Sequence, residues 1–256
     1  TIMAGDTVRR YSRFDETTLS QWVAARQAQF GAPRLPVLIP EDVRPLSFDF
    51  GNADPSSGDV FRFEGELRNA TVEGGNGGMV AFHGTPLEVM AEGGEAAEDR
   101  VTLLDDDLNR LQATVLGLGV EPLVSLGAES NLYGRDSVVL RNGTSLKAGT
   151  VVLAGQSTDG DAVVVESGAT IDTRGFGEVG WGANGLILNT LPNQSTLVVS
   201  NDRLQFGAVR GGGRLRIEDG AALYSEGTLG LLAPGGLVLP RISTYAHRIF
   251  CSPWRI

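Results

Sequence analysis

Val138-Val139-Leu140-Arg141-Asn142-Gly143-Thr144-Ser145-Leu146 returns at an offset of 25 residues as Val163-Val164-Val165-Glu166-Ser167-Gly168-Ala169-Thr170-Ile171. A third copy, Leu215-Arg216-Ile217-Glu218-Asp219-Gly220-Ala221-Ala222-Leu223, comes at an offset of 52 from the second, about two such periods. Between them lies a worn copy, Leu197-Val198-Val199-Ser200-Asn201-Asp202-Arg203-Leu204, with Asn-Asp in place of the glycine turn. Each unit reads as a short strand, a polar turn, one inward aliphatic residue and then a further glycine, at Gly175, Gly207 and Gly227. No unit holds enough apolar surface to fold alone, so neighbours must stack and share a core. Short strands recurring at this spacing, with no helices between them, predict a parallel β-helix whose coils rise about 4.8 Å each. A propeller or a β-sandwich fits less well, because the turns carry no blade signature and the strand spacing is irregular.

Composition agrees with many short strands. The 256 residues are 41% hydrophobic, enough for a substantial core, and include 35 glycines, about twice the usual share. These glycines are interleaved with Val, Leu and Ile, unlike a Gly/Ser linker. A net charge of -10 has the wrong sign for nucleic acid or an anionic membrane surface. Nucleic-acid binding and membrane insertion are therefore not expected, and no run approaches the ~18 apolar residues of a spanning helix. One cysteine, Cys251, excludes an internal disulfide framework and a thiolate metal site. The opening Thr1-Ile2-Met3-Ala4-Gly5-Asp6 has no basic region or apolar signal core, and predicts an intracellular protein or an internal fragment of an exported one.

The chain divides into four regions. Residues 1–14 read as the end of a preceding coil. Residues 15–115 read as an irregular insertion. Its helix is capped by Asp15 or Thr17, carries Leu19, Trp22, Val23 and Phe30 on one face, and stops at Gly31 and Pro33. Five prolines (Pro33, Pro36, Pro40, Pro45 and Pro55) mark an extended connector, and Val60 to Met79 alternates like a strand before the Gly74–Gly78 turn. The acidic stretch 90–110 reads as a surface excursion with a short helix around Leu103 to Leu111. Residues 116–239 are assigned to regular coils, and 240–256 to an atypical tail, read as a truncated end or a cap.

The sequence resembles the filamentous haemagglutinin-type exoproteins of two-partner secretion. The likeness is carried by Leu108-Asn109-Arg110-Leu111-Gln112-Ala113, by 137–144 through Val151-Val152-Leu153-Ala154, by Val163 to Gly175, and by Leu204-Gln205-Phe206-Gly207 through Gly227-Thr228-Leu229-Gly230-Leu231. Ile2-Met3-Ala4-Gly5-Asp6 is similar to a coil-ending motif of those repeats, and the likeness covers mainly 105–239. The resemblance implies an all-β, right-handed parallel β-helix, export through an outer-membrane transporter partner, and a place at the bacterial cell surface or in the medium. It further implies adhesion to a host glycan or protein receptor, as an interior or near-C-terminal part of a larger adhesin. It supplies no catalytic residue, metal site or cofactor.

His83 and His247 are the only histidines, and no G-x-S-x-G motif lies near either, so both read as surface or turn residues. Asp159, Asp161, Glu166, Asp172 and Glu178 could line one edge of adjacent coils and serve a polysaccharide-cleaving enzyme as paired carboxylates. They also suit turns, where they solvate the chain and bond their own backbone. Asp49-Phe50-Gly51-Asn52-Ala53-Asp54 has oxygen ligands at short spacing, yet lacks the continuation of a calcium loop. Gly211-Gly212-Gly213 and the Gly74 cluster read as corners, not phosphate cradles. Asn69, Asn142 and Asn193 open glycosylation tripeptides. The leading expectation is a non-catalytic structural and binding segment of an adhesin. The alternatives are a β-helical polysaccharide enzyme and the stalk of a contact-dependent toxin-delivery exoprotein.

Overall fold

The computed structural model describes residues 45–58, 60–65, 67, 78–121, 129–158, 160–180, 187–207, 212–239, 243–246 and 248–251. Strands dominate them, and most pair in parallel. Within the repeat the chain passes through β8 (Val138–Leu140), β9 (Ser145–Lys147) and β10 (Thr150–Gln156), then through β11 (Asp161–Val165) and β12 (Thr170–Asp172). β10 belongs to a first sheet, β8 and β11 to a second, and β9 and β12 to a third. The second and third sheets are visited again by β16 (Arg214–Ile217) and β17 (Ala222–Tyr224), and the first by β18 (Thr228–Leu232). A further round comprises β19 (Gly236–Val238), β20 (Ser243–Tyr245) and β21 (Arg248–Cys251).

The register is the one the repeat predicts. Val163 lies opposite Val138 and Leu215, and Thr170 opposite Ser145 and Ala222. Each copy therefore stacks directly on the next, with Leu140, Val165 and Ile217 buried in one row and Leu146, Ile171 and Leu223 in another. At the corners the amides of Arg141, Glu166 and Glu218 bond the preceding layer, at Val89, Leu140 and Val165 respectively. Each corner then closes with an i to i+3 backbone bond, from Thr144, Ala169 or Ala221. Gly143, Gly168 and Gly220 sit at φ +76, +72 and +83, a left-handed geometry that explains the glycine in every copy.

Two expectations are corrected here. The offset of 52 is not two coils, because β11 pairs with β16 with no strand between them. The worn copy is not a coil of the same kind either. It forms β14 (Gln194–Ser200), which enters the first sheet between β10 and β18 and runs antiparallel to both. Lacking the glycine, its end is built by side chains instead. Asn201 accepts from Thr173 Oγ1 at 2.7 Å and from the Glu226 amide at 3.1 Å, and Asp202 accepts from the Val179 amide at 3.1 Å.

The line drawn at 115/116 does not coincide with a break in the sheets. β1 (Leu46–Asp49), β3 (Met79–His83) and β6 (Val115–Leu118) occupy the first sheet ahead of β10, while β2 (Val60–Phe61), β4 (Leu87–Met90) and β5 (Val101–Leu104) extend the second. Their apolar residues enter the same core, so these strands are part of the stack. Likewise β20 and β21 continue the third and first sheets beyond residue 240. The amphipathic helix expected at 15–30 and the segment 1–14 lie outside the described residues, as do Gly74–Gly77 and 252–256.

The short helix of the acidic stretch is present as α1 (Asp105–Arg110), and it has a structural task. Asp105 Oδ2 accepts the Ser145 amide at 2.8 Å, while Asn109 accepts from Lys147 N and donates to Ser145 O. Side chains four apart on a helix are about 6 Å apart, close to the spacing of alternate residues in a strand. Asp105 and Asn109 thus satisfy the outer edge of β9, where the third sheet begins. Asp105 and Asp107 are buried, so this part of the acidic stretch is not the surface excursion expected from the sequence.

Most of the first sheet is covered on both faces. Val151, Leu153, Leu197 and Val199 face the main core. Val152, Ala154 and Val198 face a second cluster with Leu132 and Leu188, from β7 (Glu129–Leu132) and β13 (Ile187–Thr190). These two strands and β15 (Gln205–Phe206) form a fourth, three-stranded parallel sheet. Burial on both faces accounts for the unbroken apolar run in β10.

Candidate functional site

Alternation along the second sheet sends Leu87, Val89, Val138, Leu140, Val163 and Val165 inward. Between them, Glu88, Val139, Val164 and Arg216 stand in register on the outer face. Val139 and Val164 are only 8% and 6% exposed although they face outward, because a groove closes over them. Pro86, Arg100, Gln156, Ser157 and Gly160 line it, and its volume is about 550 Å³. Asp136, Arg141, Asp161 and Glu166 also line it. A bulge between Asp161 and Val163 brings Asp161 to the outer face, within reach of Arg214 and Arg216.

Charges in the groove alternate along the stack. Arg141 donates from Nε to Glu88 Oε2 at 2.6 Å and from Nη1 to Glu166 Oε1 at 3.1 Å. Glu88 is fully buried, and its other oxygen takes the Ala97 amide at 2.6 Å and Thr102 Oγ1 at 2.7 Å. Arg216 donates to Asp161 at 2.7 Å and also bonds Glu218. Burial works against the Arg141 cation, but the hydrogen bonds to Glu88 and Glu166 outweigh it and raise its pKa. The hydrogen bond to Asp161 raises that of Arg216 against a smaller effect of burial. Asp136 is different: burial pushes its carboxyl above the usual aspartate range, and the neighbouring Arg135 charge only partly opposes this.

Of the five carboxylates singled out in the sequence, the structure brings Asp161 and Glu166 into this groove. Asp172 pairs instead with Arg174 at 2.6 Å on the third sheet, and that hydrogen bond is the main reason its pKa is lowered. Glu178 is exposed on the loop after β12, and Asp159 lies outside the described residues. Asp49 and Asp54 accept the amides of Gly51 and Ser56 and so stabilise turns; no cluster suited to a metal ion occurs among the described residues. Gly213 lets its strand pass close to Gln194 and Ser195, where a Cβ would meet their backbone. Its role is therefore packing. His83 ends β3 with its ring against Ser47 and Asp49, and His247 is outside the described residues.

Sequence reasoning missed the arginines and Glu88. Arg141 and Arg216 were visible as cations inside otherwise apolar copies, and Glu88 as an acid between Leu87 and Val89. That combination signals an outward ladder of ion pairs. Arginine forks, carboxylates, Gln156 and Ser157 above two valines can exchange hydrogen bonds with a polar ligand in several directions. Among the described residues no helix is long and apolar enough to cross a membrane. No protein-family model, no curated protein and no solved structure matches the chain.

Proposed function

We propose that this chain is a parallel β-helix segment acting as a spacer and binding element of a secreted adhesin, whose groove binds without catalysing. The outer groove of the second sheet is its contact with a polyhydroxylated glycan. The observation that carries the reading is the stack itself: β8, β11 and β16 in one sheet and β9, β12 and β17 in another repeat the same corner in register. Such stacking makes a quasi-one-dimensional body with long continuous faces, suited to holding and spreading contacts. The resemblance to filamentous haemagglutinin-type exoproteins supports right-handed winding, two-partner export and cell-surface placement. The groove supports a glycan more than a charged partner, because its cations and carboxylates neutralise one another in pairs.

The test is binding of the fluorescently labelled chain to erythrocytes and to an immobilised glycan panel. Saturable binding, lost when Gly160→Trp fills the groove at its rim, is the expected result. Binding that is absent, or that Gly160→Trp leaves unchanged, overturns the assignment of the groove.

A second reading has one observation in its favour, the raised carboxyl of Asp136 in the groove that Asp161 and Glu166 also line. A glycoside hydrolase needs one carboxyl held protonated and a second one close by. Release of reducing ends from the bound glycan, abolished by Asp136→Asn, would favour the enzyme over the adhesin.

A further inference from the structure

Outside the groove, one constellation has a geometry that the binding role does not use. On β1, Ser47 and Asp49 are two apart and therefore share the outer face, while Phe48 between them packs on Phe82 with ring centroids 4.8 Å apart. β3 pairs with β1 so that His83 lies opposite Asp49. Ser47 Oγ stands 2.7 Å from His83 Nε2, and His83 Nδ1 faces Asp49 Oδ1 at 3.8 Å. Asp49 is held by the Gly51 amide at 2.9 Å. Gly84, at φ +103, makes room for it, since a Cβ there would collide with Asp49 Oδ1 and the Gly51 amide. The imidazole is 17% exposed, while Ser47 is open to solvent.

We propose that Ser47 is a nucleophile activated by His83, and that this site hydrolyses small acyl esters. A hydroxyl becomes a useful nucleophile when a base within hydrogen-bond reach takes its proton, and a third group orients that base. Asp49 is the positioning residue. Its negative charge favours the tautomer with the proton on Nδ1, leaving Nε2 free to accept from Ser47. Its distance is longer than a hydrogen bond, as is common before a ligand tightens such a site.

The backbone supplies a donor as well. Phe50 N bonds His83 O across the parallel pair, so by alternation the amides of Ser47 and Asp49 point away from β3. Among the described residues no strand pairs with β1 on that side, and the Ser47 amide is placed to face a developing oxyanion. Ser47 is exposed, so an accessible ester with a small acyl group can reach its hydroxyl directly. In the first step Ser47 Oγ bonds the acyl carbon and its proton passes to His83 Nε2. The ester C–O bond breaks and the departing alcohol takes that proton. Water then attacks the acyl-serine and gives a proton to Nε2. Ser47 Oγ leaves and recovers that proton, and the acid is released.

The full chain, treated with a fluorophosphonate probe and with p-nitrophenyl acetate, provides the test. The expected result is one adduct per chain on the peptide containing Ser47, absent in Ser47→Ala and formed about a hundredfold more slowly in His83→Gln. Ester hydrolysis should fall in parallel, with far-UV circular dichroism unchanged in both variants. No adduct, an adduct elsewhere, or labelling indifferent to His83→Gln overturns the proposal. Imidazole ¹⁵N NMR gives a readout independent of turnover. The signals that His83→Gln removes should report a proton on Nδ1 and none on Nε2; a proton on Nε2 contradicts the mechanism. Neither measurement involves the groove, so its outcome is separate from that of glycan binding.

Discussion

The three corners at 141–144, 166–169 and 218–221 and the reversed strand at 194–200 come from similar-looking sequence and do opposite things. At the corners a left-handed glycine turns the chain tightly, and the next strand lies parallel to the one below. At 201–202 no glycine is available. Asn201 and Asp202 bond Thr173, Val179 and Glu226, and the strand before them runs against both neighbours. In this stack the glycine corners accompany parallel strands, and the end built by Asn201 and Asp202 accompanies the reversed one. The valine-rich strand sequence itself does not choose the direction.

The largest effect is expected from Arg141→Ala. It strips the buried Glu88 of its cation, and leaving a buried charge unpaired costs about 3–5 kcal/mol. A urea titration should show the midpoint falling steeply, and an unchanged midpoint would mean that the ladder adds nothing to the corners. Asn201→Ala attacks the other region. It leaves the Glu226 amide without its acceptor and the Thr173 hydroxyl with Tyr224 O alone, at about 1–3 kcal/mol. Hydrogen exchange should then rise first along β14 and only later along β11 and β12.

Gly168→Val forces a branched side chain into φ +72 and is expected to cost about 1–2 kcal/mol. Gly168→Asn should cost less, because asparagine tolerates that region. Equal losses for the two would contradict the corner geometry.

The smallest effect carries the clearest sign. Burial raises the folded-state pKa of Asp136, so ionising it opposes folding as pH climbs above the ordinary aspartate value. Asp136→Asn should therefore raise Tm slightly at pH 7. The gain should vanish in acid, where both the folded and unfolded chains hold the proton.

The three glycine copies were legible because both cues, strand alternation and a left-handed turn, point the same way in each. Aligning the copies gave the correct register for Val163 and Thr170 on either side, although the offset of 52 put the third copy one layer too far away. The reversal of β14 was not legible, since an alternating strand pattern looks the same read in either direction. The stretch between β12 and β16 also happens to be about one period longer than a corner requires, which mimics a missing coil. Before residue 116 the alternation from Val60 was legible, but the strands around the acidic stretch, β4 and β5, were not, because acidic residues interrupt the apolar pattern, although Glu88, Asp105 and Asp107 turn out to be buried and bonded. For the groove, Asp161 and Glu166 were in view, but not the arginines that pair with them. Ser47 and His83 are 36 residues apart with no local motif, and only the pairing of β1 with β3 joins them.

Adjacency of the second and third copies decides the architecture most directly. Ser167 and Asp219 are exposed corner residues in equivalent register, so with β11 beside β16 their Cα atoms lie about 5 Å apart, within disulfide range. With the exposed Cys251 changed to Ser, Ser167→Cys/Asp219→Cys should oxidise to an intramolecular disulfide, detected by non-reducing peptide mapping. Asn142→Cys/Asp219→Cys, two layers and about 10 Å apart, should not. If 167 and 219 stay reduced in the folded chain, or 142 and 219 cross-link instead, the copies do not stack in the order β8, β11, β16.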